Sequence, residues 1–150
     1  MLGTFLSRLQ GQQDGSVAIE VAIVAPVLLL LSLGGFDASS MVARQTELQS
    51  AAAEAAAIVQ AVPPTDEAGR NTVRDVLKVS TGLTDDDVSV VEIYRCGTST
   101  DYVTTNSCTT GEHVSKFIQA TLTDTYNPVW TNFGIGGSID YNVVRTVQIS

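Results

Sequence analysis

The apolar positions along the chain fall into three patterns. From Ser16 to Phe36 they are almost continuous: twelve of the 21 residues are Val, Ile, Leu or Phe, and Glu20 carries the one charge. A helix of that length rises about 1.5 Å per residue and spans roughly 30 Å, the thickness of a bilayer core. Beyond it, Met41, Leu48, Ala55 and Val62 recur every seven residues, with Ala52 and Val59 beside them. This spacing predicts that the helix continues with one narrow stripe of small apolar side chains. Alanine dominates residues 51–57 and favours helix, and Pro63-Pro64 stops it.

A second, shorter helix is predicted near Asp66–Ser80, with Val73, Val76 and Leu77 on one face, acids in its first turn and Gly82 as its stop. The pattern then changes from a helical period to alternation. Val88–Arg95, Lys116–Tyr126 and Ile139–Ile149 read as strands, the last most cleanly. The expected fold class is α+β: a long N-terminal helix, its first half in the membrane, packed by its second half on a small antiparallel sheet. The domain reading is a membrane helix over 16–36, its continuation over 37–62 and an α+β domain over 63–150.

Two features sit awkwardly on this pattern. Arg145 shares a strand face with Tyr141, Val143 and Val147, while the matching faces of the other strands carry Glu92 and Asp124. The expectation is a buried ion pair of Arg145 with Asp124 or Glu92 across strands; the alternative is Arg145 in water at a sheet edge. The connection Asn127–Ser138 places Val129, Trp130, Phe133 and Ile135 in a loop. They either fold back on the core, which is the expectation, or make Trp130 and Phe133 a contact loop.

Energetics favour insertion of the apolar block. Its twelve large apolar residues contribute roughly −4 to −7 kcal/mol on an insertion scale. A carboxylate at the midplane costs about 2.5–3.5 kcal/mol, and less near an end, where Glu20 stands. A cleaved signal peptide ending near Ala38-Ser39-Ser40 is the alternative, but the apolar run exceeds the usual length. Pro26 inside the run predicts a kink. Flanking charge does not orient the span, because Arg8 and Arg44 balance.

Charge and cysteines narrow the classes. Net charge is −8 with eight basic residues and no basic cluster, which argues against nucleic acid as a partner. Cys96 and Cys108 flank a polar stretch and suit a short disulfide loop in an oxidising compartment; the alternative is two unconnected reduced thiols. The disulfide reading sets the C-terminal domain outside the cytosol. His113 is the single histidine, so a zinc site built on the cysteines lacks ligands. Asp85-Asp86-Asp87 lacks EF-hand spacing and reads as a solvated turn. No nucleophile–base constellation and no phosphate-binding glycine motif is present. The expectation is therefore no catalysis, no cofactor, no metal and no small-molecule substrate.

Gly15, then Ser16-Val17-Ala18-Ile19-Glu20, then an unbroken apolar run resembles a type IV prepilin processing site. The stretch "GSVAIEVAIVAPVLLLLSLGGF" looks most like the TadE/TadG-like minor pilins, or pseudopilins, of tight-adherence (Tad/Flp) pili, and "YNPVW…IDYNVVRTVQI" is similar to the ending of that family. The resemblance implies a pilin-like fold and a leader, residues 1–15, removed by a prepilin peptidase between Gly15 and Ser16. It also implies that Glu20, fifth in the mature chain, docks the subunit among other pilins in a filament or priming complex. It implies an inner-membrane, single-pass location, then the pilus and cell surface, and a role in surface adhesion. The alternative is an uncleaved single-pass envelope protein whose outer domain binds a partner or ligand.

Overall fold

The computed structural model describes residues 14–150, with side chains from Val17 onward. The leader call therefore lies almost entirely outside the described residues, as does the side chain of Ser16. The elements are α1 (Asp14–Ala61), α2 (Glu67–Thr81), β1 (Val88–Cys96), β2 (Val114–Tyr126), a 3₁₀ turn (Val129–Phe133) and β3 (Ile139–Gln148). The long apolar helix and the small three-stranded antiparallel sheet make the chain α+β, as the sequence pattern predicts.

The chain divides into two compact units, residues 1–39 and 40–150. In the first, the described residues belong to α1, whose large apolar side chains from Val17 to Phe36 are exposed on every side. That composition and length are sufficient to cross a membrane. Ser32 donates its hydroxyl to the Leu28 carbonyl at 2.8 Å, and Ser39 donates to Gly35 at 3.0 Å. Both hydroxyls are thus satisfied within the helix, as an apolar solvent requires. Pro26 lies inside α1 without ending it; lacking an N–H, it leaves the Ala22 carbonyl without its usual helical donor.

In the second unit, α1 lays Leu48, Ala51, Ala52, Ala55 and Val59 on the sheet. Val62, assigned to the same stripe by its spacing, is exposed, because the helix ends at Ala61. The strands form a meander in the order β1-β2-β3, both pairs antiparallel. Alternation sends Val88 of β1, Ile118, Ala120 and Leu122 of β2, and Tyr141, Val143 and Val147 of β3 into the core with Val73 and Leu77 of α2. α2 is amphipathic and capped at both ends. The Asp66 carboxylate accepts from the Gly69 amide, and Gly82 adopts φ +70° while its amide donates to the Lys78 carbonyl.

The second face of the sheet is partly covered. The segment after β1 folds back so that Tyr94 and Val103 exchange backbone hydrogen bonds of 2.8 and 2.9 Å. Tyr102 meets Phe117 edge-on at 5.2 Å, and the Arg95 guanidinium lies over the same ring.

Candidate functional site

Glu20 stands on α1 with its side chain exposed. Ser16 precedes it by four residues, about one turn, on the same helix. A cut between Gly15 and Ser16 would therefore put a new amine one helical turn from this carboxylate.

In the second unit, α1 is held to its neighbours by Arg44. Its Nε donates to Asp124 Oδ2 of β2 at 2.6 Å. Its Nη1 donates to Glu47 Oε2 and to the Thr81 carbonyl, both at 2.9 Å. Thr81 is the last residue of α2, whose final carbonyls have no helical donor. One guanidinium thus ties α1 to β2 and to the end of α2, using the planar fork that lysine lacks. Burial by itself would lower the Arg44 pKa, but the hydrogen bonds to Asp124 and Glu47 raise it above the ordinary value. Close by, the Tyr141 hydroxyl donates to the Met41 carbonyl at 3.1 Å. Burial, the chief cause, pushes that phenol upward, and the Tyr126 and Asp124 charges add to it.

The expected ion pair of Arg145 is corrected by this arrangement. Asp124 belongs to Arg44, and Glu92 lies between Arg70 at 3.3 Å and Lys116 at 3.4 Å. Arg145 stands opposite Ala120, whereas Asp124 stands opposite Tyr141. Four residues of strand, roughly 13 Å, thus separate Arg145 from Asp124. Glu92 is on β1, two strands away. Arg145 instead extends past Ala55, Ala56 and Val59, and it is exposed.

Cys96 and Cys108 are joined in a disulfide with Cα atoms 5.3 Å apart, a normal span. Cys96 is the last residue of β1, so the bond closes a polar loop beyond that end of the sheet.

The loop between β2 and β3 differs from its expected core role. Phe133 is 68% and Ile135 64% exposed, and Trp130 is half-buried. The turn is nonetheless ordered by its own hydrogen bonds. Thr131 donates its amide and hydroxyl to the Pro128 carbonyl at 3.1 and 2.8 Å, and Gly134 donates to Thr131 at 3.0 Å. Gly136 has φ +71°, and a Cβ there would lie 3.3 Å from the Trp130 indole nitrogen, so glycine is required twice over.

An open groove of about 670 Å³ between α2 and β1 is lined by Arg70, Arg74, Asp85 and Glu92. Both of its arginines are paired, Arg70 with Glu92 and Arg74 with Asp85, Glu67 and Asp86 add further negative charge, and no nucleophile–base pair faces it. No group of three or more His, Cys, Asp and Glu among the described residues is arranged to hold a metal.

A single apolar helix, long enough to cross a membrane, continuous with a small α+β domain defines the class of architecture. Residues 15–57 match the family model described as TadE-like protein. The TadE-like resemblance is thereby shown, over a segment that begins at Gly15 and covers Glu20 and Arg44. No curated protein and no solved structure matches the chain. The match associates the chain with the Tad pilus system and suggests a structural rather than an enzymatic protein.

Proposed function

We propose that the protein is a minor pilin or pseudopilin that takes part in assembling a Tad/Flp-type pilus for surface adhesion. A prepilin peptidase removes residues 1–15 by cutting between Gly15 and Ser16, and the domain from residue 40 onward lies outside the cytoplasm. The observation that carries the reading is the coincidence of Gly15, Glu20 and an all-round apolar helix inside the matched segment. Glu20 then has a physical use. A carboxylate in a low-dielectric setting is costly unless a cation accompanies it. The amine released at Ser16 of a neighbouring subunit is such a cation and favours one axial register between subunits. The disulfide supports the orientation, since such bonds persist in oxidising compartments.

Mass spectrometry of the membrane-extracted chain tests the reading. Cells with the peptidase should yield a chain beginning at Ser16, and cells without it a chain that still carries the residues up to Gly15. Glu20→Gln should be processed normally yet fail to enter filaments. A leader that stays attached in the presence of the peptidase overturns the reading and leaves an anchored envelope domain.

A further inference from the structure

The apolar turn between β2 and β3 sits at a particular end of its unit. β2 ends at Tyr126 and β3 begins at Ile139, so residues 127–138 extend from the sheet end that carries Asp124 and Tyr141. That is the end fastened to the first residues of α1 in this unit, through Tyr141 to Met41 and Asp124 to Arg44. The disulfide loop leaves from the opposite end, beside Val114 and Gln148. Four residues of chain separate Phe36, the last of the apolar block, from Met41.

Three further observations narrow what the turn meets. Residues 127–138 contain no Asp, Glu, Lys or Arg, in a chain of net charge −8. An acidic domain is repelled by an anionic bilayer, and this neutral stretch is a part that can approach one. The most exposed apolar residues of the turn are Phe133 and Ile135, next to an indole, the side-chain types that sit where hydrocarbon meets headgroups. The turn is also held by its own hydrogen bonds and by the Trp130–Gly136 contact, so its apolar tips are presented rather than collapsed.

The geometry points to a second membrane contact: the 127–138 turn inserts Phe133 and Ile135, with Trp130 behind them, into the surface of the bilayer that α1 crosses. This rests on the reading of residues 17–36 as a membrane span, and goes beyond it by assigning the extracytoplasmic domain a lipid face.

Trp130 is the single tryptophan of the chain, so its fluorescence reports on this turn alone. The full chain is reconstituted in phosphatidylcholine–phosphatidylglycerol vesicles, with and without bromine on the acyl chains close to the headgroups. At the roughly 5–10 Å depth of interfacial side chains, brominated lipid should cut Trp130 emission about twofold. Phe133→Asp with Ile135→Asp should restore the emission, while the thermal transition stays in place because both side chains are exposed. Emission indifferent to bromine in vesicles whose span resists alkaline carbonate extraction overturns the inference, leaves the span standing and assigns the turn to a protein partner. A chain that carbonate extracts refutes the span, and the inference falls with it.

Discussion

Arg44 Nε lies 2.6 Å from Asp124 Oδ2, joining the long helix to the central strand. The two side chains are each about one quarter exposed, and the same guanidinium also holds the Thr81 carbonyl. Arg44→Ala would leave a half-buried carboxylate and a helix-terminal carbonyl without their donor. A loss of about 2 kcal/mol is expected, read by urea unfolding of the folded chain in detergent. Arg145→Ala, on the same sheet, should change stability by less than about 0.5 kcal/mol. A double-mutant cycle of Arg44→Ala with Asp124→Asn should return a coupling of about 1 kcal/mol or more, and a coupling near zero would remove the clamp.

Glu92 gives the domain a defined acid response. Burial alone would raise its pKa, but hydrogen bonds from Tyr94 and Lys116, with the charges of Lys116 and Arg70, bring it below the ordinary value. A carboxylate depressed by folding adds stability that is fully present above its unfolded pKa. That stability is lost as pH falls through the folded pKa. Wild type should therefore lose stability below about pH 4.5 more steeply than Glu92→Gln. At neutral pH the substitution should cost about 1 kcal/mol or less, as is usual for partly exposed pairs. Parallel acid melts of the two proteins would contradict this account.

The disulfide should matter to stability and little to the strand register. Cys96 and Cys108 are 12 positions apart, and closing a loop of that size is worth about 3 kcal/mol on the chain-entropy model. Cys96→Ala with Cys108→Ala should lower stability by up to that amount. The Tyr94–Val103 hydrogen bonds should then lose protection in amide exchange, while amides at Ala120 and Leu122 stay protected to the global limit.

Most of the fold was legible because each element carries a local signal. The three strands alternate, Asp66 and Gly82 cap α2 where cap residues belong, and Pro63-Pro64 ends α1. The apolar block and the TadE-like residues around Gly15 and Glu20 were equally local. What escaped was the choice of partners. The sequence showed that Asp124 and Glu92 lie on core-facing positions and need cations, but cross-strand pairing pointed to Arg145. Strand register decides otherwise by placing Arg145 four residues from Asp124. Arg44 was findable, since it precedes Leu48 by four and Ala51 by seven on the helix and so lies on the buried stripe. The exposed turn was misjudged for a related reason. Apolar content foretells burial on average, but a 3₁₀ turn closed by its own hydrogen bonds holds Phe133 outward.

The contact between α1 and the sheet is built largely from Ala51, Ala52 and Ala55. A surface of methyl groups has little relief, so shifting the helix by one turn along its axis would meet few collisions. Leu48, fully enclosed, Val59, buried, and the guanidinium four residues before Leu48 stand proud enough to act as detents. Under tension along α1, those three side chains set the force at which the helix slips along the sheet.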